Sequence, residues 1–288
     1  MQINTTAPMI TLALLAGHSG RADLRETVNA WADDLMANLP RTEEGGFQHV
    51  VKEQPNTGQL WDDTLFMTCL FLGTAGIVLA RQDLIDEAVY QFLLHTRYLS
   101  EPRSGLWYHG WTFLDRHHYA EAFWARGNAW ITVAIPEFID LMGDHLDAGV
   151  RRYFTQVVAR QVRSLCELQA DNGMWHTVLD DPLSPQESSA TAGIAYGMLR
   201  GVRMGILNDD VRAHALRACD AVMARIDDDG SMWPYCYQDT SRLVLCCECK
   251  HFADDACASR KPCSLQVVPE RTEVRRWRFP RTRGDRPR

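Results

Sequence analysis

Residues 104–130 read Ser-Gly-Leu-Trp-Tyr-His-Gly-Trp-Thr-Phe-Leu-Asp-Arg-His-His-Tyr-Ala-Glu-Ala-Phe-Trp-Ala-Arg-Gly-Asn-Ala-Trp, from Ser104 to Trp130. Trp107, Tyr108, Trp111, Trp124 and Trp130 are interleaved with His109, Asp115, His117, His118, Glu121, Arg126 and Asn128. A sugar-binding cleft needs such a mixture. Flat rings stack on C–H faces, while titratable groups bind hydroxyls and move protons. A helix N-terminus with a Trp-rich core and solvated histidines has the same composition, so composition alone leaves both readings open.

The opening of this stretch decides the fold, because it recurs. Gly105-Leu106-Trp107-Tyr108-His109 has counterparts at Gly46-Phe47-Gln48-His49, Gly173-Met174-Trp175-His176 and Gly230-Ser231-Met232-Trp233. The first three copies end in His. Their spacing is roughly that of a helical hairpin, at about 1.5 Å rise per residue and two helices per unit. The segments between the turns fit. Residues 22–39, 82–99, 144–169 and 208–226 carry apolar stripes at helical spacing, whereas 63–80 and 120–142 are apolar on nearly every side. Residues 187–206 are rich in Ala, Gly and Ser, as a closely packed inner helix would be. Pro136 is expected to kink the helix over 120–142. No segment up to the last turn shows strand alternation. The pattern predicts an all-α barrel of inner and outer helical hairpins, with its Gly-aromatic turns on one face.

The 288 residues suit one large domain or two small ones. Residues 1–240 hold 18 Lys+Arg against 31 Asp+Glu, and residues 241–288 hold 12 against 6. An acidic body with a basic tail argues against nucleic acid as the main partner. Pro8 to Ala16 is apolar but short and has no preceding positive charge, so it does not read as a signal peptide. No stretch reaches transmembrane length. Cys69, Cys166 and Cys219 are widely spaced within helical patterns and read as buried thiols in a reducing compartment. The expectation is a cytoplasmic protein with no membrane partner.

Longer motifs resemble a known family. They are Asn4-Thr-Thr-Ala-Pro-Met9, Pro40-Arg-Thr-Glu-Glu-Gly-Gly-Phe-Gln-His49, Gln59-Leu-Trp-Asp-Asp-Thr-Leu-Phe-Met67, Gly105-Leu-Trp-Tyr-His-Gly-Trp-Thr-Phe113, Trp124-Ala-Arg-Gly-Asn128 and Trp175-His-Thr-Val-Leu-Asp-Asp-Pro182. In this order they resemble the unsaturated rhamnogalacturonyl hydrolases of glycoside hydrolase family 105, related to the unsaturated glucuronyl hydrolases of family 88. The resemblance covers about residues 4–233. It implies an (α/α)6 barrel, no metal or other cofactor, and an oligosaccharide substrate ending in a Δ4,5-unsaturated uronic acid. The implied reaction protonates C4 of the vinyl ether and adds water at C5. The two-carboxylate spacing rule of ordinary glycosidases therefore does not apply.

Carried over residue by residue, the resemblance implies that Asp63 contacts the sugar and organises the water. An Asp at a helix opening is also a common first-turn carboxylate. Asp62 beside it reads as the cap, pointing elsewhere. Many members carry His-Ala-Trp-Asp with that Asp as proton donor, whereas this chain has His109-Gly110-Trp111-Thr112. The acid is then Asp63, Asp115 three residues on, or a His of this segment. Arg126 reads as the partner of the uronate or of an inner-helix carboxylate. Trp107, Trp111 and Trp175 are the stacking candidates. His49, His109, His117 and His176 are the polar binding candidates, and Gln186-Glu187-Ser188-Ser189 is expected to close the same rim.

Two other readings stay open: a sugar epimerase or lyase on the same barrel, and an inactive remnant or helical module that only binds. Relatives of this kind begin before Asn4 and continue with inner-helix sequence after the last turn. The barrel is therefore expected to span residues 1–233 and to be incomplete at both ends. Residues 234–288, rich in Cys and Arg, resemble the product of a shifted reading frame with no reason to fold. A zinc module from Cys246, Cys249, His251, Cys257 and Cys263 is the less favoured alternative. With open flanks, the chain is expected to be weakly folded or oligomeric and to have little activity.

Overall fold

The computed structural model describes residues 2–52, 55–118, 121–228, 230 and 232. The expected Cys/Arg-rich tail, its alternative zinc ligands and Trp233 of the fourth turn lie outside the described residues. Eight α-helices among the described residues form four hairpins. They are α1 (Ala7–Ser19) with α2 (Ala22–Asn38), α3 (Leu70–Leu79) with α4 (Gln82–Leu99), α5 (Ala125–Met142) with α6 (Ala148–Glu167), and α7 (Ser188–Arg203) with α8 (Val211–Met223). The odd-numbered helices pack on one another in chain order, and each even-numbered helix lies against its hairpin partner. This is the alternation of inner and outer helices that the sequence pattern predicts. The apolar stretch at Pro8–Ala16 is the first inner helix, closed by Gly20 in the left-handed region at φ +66°.

Inner helices need small residues or flat rings where they meet. At Gly197 of α7 a Cβ would sit 2.2 Å from the carbonyl oxygen of Thr132 on α5, so only glycine allows this approach. Between α4, α5 and α6, Phe92 stacks on Phe138 at 4.0 Å between ring centroids, and Phe154 meets both edge-on. The outer helices bury one stripe each: on α6 it is Phe154, Val157, Val158, Gln161, Val162 and Leu165. Each such apolar side chain stabilises the fold by about 1.5–3 kcal/mol. Asp147 caps α6 by accepting from the backbone N–H groups of Gly149 and Val150.

The first three turns are clamped in the same way. The backbone N–H of Phe47 donates to Gln91 Oε1 of α4, that of Trp107 to Asn128 Oδ1 of α5, and that of Trp175 to Thr191 Oγ1 of α7. These partners are buried, so the turns are fixed from inside the barrel.

Three expectations are corrected. Two short strands exist, β1 (Gln59–Trp61) and β2 (Gly110–Thr112), paired antiparallel; at three residues each they are too short to show a period in sequence. Residues 63–80 are not one regular helix, because a π-helical turn at Leu65–Cys69 precedes α3. The expected inner helix is α5, Ala125–Met142, with Pro136 inside it. Cys69 is fully buried, but Cys166 and Cys219 are only half-buried. No helix among the described residues is long and apolar enough to cross a membrane.

Candidate active site

The β1–β2 register brings the site together. Gln59 faces Thr112, Leu60 faces Trp111 and Trp61 faces Gly110. One step further along the same ladder, Asp62 lies beside His109, and its backbone N–H donates to the His109 carbonyl at 3.0 Å. Two residues 47 positions apart are thus held side by side at the mouth of an inner helix. His109 Nδ1 lies 2.8 Å from Asp62 Oδ1 and 3.8 Å from Asp63 Oδ1. Side-chain exposure is 0% for Asp62, 1% for His109 and 5% for Asp63, so Asp63 is the edge of the cluster nearest solvent.

Aromatic rings pack around these groups. Trp61 stacks on His49 at 4.3 Å with planes 5° apart, and it also meets His109 at 4.8 Å. Trp124 meets His109 edge-on at 4.7 Å. His49 Nδ1 bonds Thr64 Oγ1 at 2.9 Å, which ties the first turn to the same helix mouth. On the far side Arg126 of α5 donates through Nε to Glu187 Oε1 at 2.7 Å and lies over the Trp124 ring at 5.0 Å. Ser189 also donates to Glu187, at 2.5 Å. The rim expectation for residues 186–189 therefore resolves into a buried ion pair.

Burial sets the protonation states. It pushes the Asp62 carboxyl up to about 7, opposed by hydrogen bonds from Asp63. Asp63 is raised well above the ordinary carboxylate range, first by burial and then by the charge of Asp62 beside it. Burial lowers both His49 and His109, which favours neutral imidazoles. The cluster thus sets two carboxyls raised by burial beside an imidazole lowered by it. Asp62, Asp63 and His109 each offer one ligand atom within 4.8 Å of the others, a donor set that could hold a metal ion.

The remaining candidates fall elsewhere. Asp62 does not point away as a cap; the ladder turns it into the cluster. Trp107 and Trp175 are fully buried core side chains, not stacking platforms, and Trp175 Nε1 donates to the Leu165 carbonyl. Trp111 is half-buried in a satellite cluster with Leu60, Tyr98 and Phe113. Asp115 and His117 are exposed on the turn after β2, and Thr112 is buried in β2. His176 is half-buried and bonds the Ser184 carbonyl through Nδ1 at 2.6 Å. Arg126 pairs with Glu187 through Nε, the inner-helix carboxylate of the two expected partners. Sequence reasoning missed Trp61 as the central ring; its position directly before Asp62 and Asp63 was the available signal. Two cavities, of about 280 and 530 Å³, lie between α6 and α8 and beside Tyr108 and Phe123. Neither is lined by the acidic cluster, and the chemistry of the donor set outweighs cavity size in locating the site.

The sequence matches the family described as Glycosyl Hydrolase Family 88 over residues 1–241. The chain belongs to this family. Among relatives, the unsaturated rhamnogalacturonyl hydrolase YesR of Bacillus subtilis (strain 168) is 29% identical over 238 residues, covering 80% of this chain and 65% of the relative. A solved structure of a possible member of the GH105 family from Klebsiella pneumoniae is 42% identical, with a TM-score of 0.80 over 83% of this chain and 62% of that one. A second possible GH105 member, from Salmonella enterica, is 40% identical with the same TM-score, over 83% and 63%. The helical hairpins are therefore those of the family 88 and 105 barrel fold. The chain spans just under two thirds of the length of these relatives.

Proposed function

We propose that the chain removes a Δ4,5-unsaturated galacturonyl residue from rhamnogalacturonan oligosaccharides by hydrating the double bond, with Asp63 as the proton donor. Family membership and the named activity of the YesR relative support the substrate class. The observation that carries the chemistry is the Asp63 carboxyl, buried beside a second carboxyl and raised well above its ordinary range. Vinyl ether hydration needs one group that still holds a proton at neutral pH. Asp63 is that group, and it lies at the solvent-side edge of the cluster. Trp61 and His49 form the apolar wall, and Arg126, fixed by Glu187, supplies positive charge close enough to act on Asp63. The exposed Asp115 has no part in proton transfer.

The reaction needs no cofactor, so activity is expected to survive chelators. Ultraviolet absorbance of the conjugated double bond tests the reading on unsaturated galacturonyl-rhamnose. Hydration makes the absorbance fall with time, a lyase acting on saturated polymer makes it rise, and a binding module leaves it unchanged. A flat or rising trace would overturn the proposal.

A further inference from the structure

We infer that Asn128 of α5, backed by Gln161 of the outer helix α6, is a positioning residue for the reaction. Its side chain sets the two backbone segments that carry His109 and Trp124 against the Asp62–Asp63 pair. The effect on rate rests on the hydration reading; the effect on geometry rests on the fold alone. Asn128, Gln161 and Thr132 are fully buried. Asn128 Oδ1 accepts from the Trp107 backbone N–H at 2.9 Å. Its Nδ2 donates to the Trp107 carbonyl at 2.9 Å and to the Trp124 carbonyl at 3.0 Å. Gln161 Nε2 donates to the same Oδ1 at 3.1 Å. A side-chain amide has two N–H donors and an oxygen with two lone pairs, and all four are used here. Turned over, the amide would set its oxygen against two carbonyl oxygens, so the network fixes its orientation.

This clamp differs from those of the other two turns. At Phe47 and Trp175 the clamping side chain takes the backbone N–H, whereas Asn128 takes both backbone groups of Trp107, as a neighbouring strand would. Trp107 stands two residues before His109, and the Trp124 ring meets the His109 ring edge-on at 4.7 Å. One amide therefore ties both sides of that ring contact to the first turn of α5. The same turn carries Arg126, paired with Glu187, and Gly127, where a Cβ would collide with Asp62 Oδ2. It is the common reference for the acidic pair, its histidine and its aromatic wall.

Gln161 holds the amide from the outer layer. Its Nε2 also donates to the Asn128 carbonyl at 3.0 Å, and its Oε1 lies 3.2 Å from Thr132 Oγ1. An outer helix thus supports the site through one intervening side chain. Misplacing reacting groups by about 1 Å can cost about 10²-fold in rate, so a clamp of this kind acts on kcat without touching the sugar.

Two variants of the full chain, with isotope-labelled histidine, test this. In Asn128→Ala the NMR signal of the His109 ring, identified by its loss in His109→Asn, should move as the Trp124 ring shifts, while the His176 signal stays in place. Its kcat should fall by about 10²-fold, far more than KM rises. Gln161→Met keeps the packing and removes the bond to Oδ1. It should move the same signal less and lower kcat by a smaller factor, and it decides the matter where Asn128→Ala does not fold. A merely structural clamp would lower the melting temperature and leave both readouts at wild-type values below it. A folded variant of either kind with an unmoved His109 signal, or with wild-type kcat, overturns the inference. A wild-type chain that never consumes the double bond overturns the hydration reading and with it the effect on rate, while the His109 signal still decides the geometry.

Discussion

The second and third Gly-aromatic turns begin alike and end differently. Both bury a fully enclosed Trp, and both have its backbone N–H clamped by a side chain from an inner helix, Asn128 or Thr191. Yet His109 is buried against two carboxyls, whereas His176 is half-buried and bonds a loop carbonyl at Ser184. The repeat fixes the backbone, and the partner delivered to the histidine fixes its chemistry. Only the second turn runs into a strand, and that strand pairs with the segment ending in Asp62.

Asp63→Asn should cut hydration by at least about 10²-fold with helical content retained. Retention above about a tenth of wild-type activity would remove Asp63 from the mechanism. Glu187→Ala should lower stability by about 3–5 kcal/mol, because it leaves Arg126 charged and buried, and chemical denaturation would show it. Gly127→Ala forces a methyl into Asp62 and should cost about 1–3 kcal/mol, together with activity. His176→Asn, by contrast, should change kcat only a few-fold. Asp115→Asn should leave both activity and stability near wild type, within about 0.5 kcal/mol, as for other exposed substitutions. A large loss at Asp115 would mean that the exposed turn, not the buried ladder, carries the acid.

The buried acids also set a pH slope. Asp62 is raised from 3.8 to about 7, so the folded state binds more protons than the unfolded chain between those values. Stability therefore falls as pH rises through that window. Thermal melts across it should show the decline, and Asp62→Asn should flatten the slope.

The hairpin order was legible because helical stripes and the Gly-aromatic repeat are local signals. Asp63 was legible from its motif and Arg126 from its own, although the partner of Arg126 was left open between a uronate and an inner-helix carboxylate. Asp62 was not legible, because its direction depends on a three-residue ladder too short to leave a period. Nor could composition tell which Trp packs the core: Trp107 and Trp175 share turns with histidines, but their rings point inward. Asp115 drew attention through its distance along the chain from Thr112, and the turn after β2 carries it to the surface.

Reaction in D₂O with product analysis by NMR tests the central claim most directly. Transfer of a solvent-exchanged proton from Asp63 predicts one deuterium at C4 of the released sugar, with the double bond gone, and no such product from Asp63→Asn. Release of a uronic acid that keeps its double bond and has no deuterium at C4 would contradict the account.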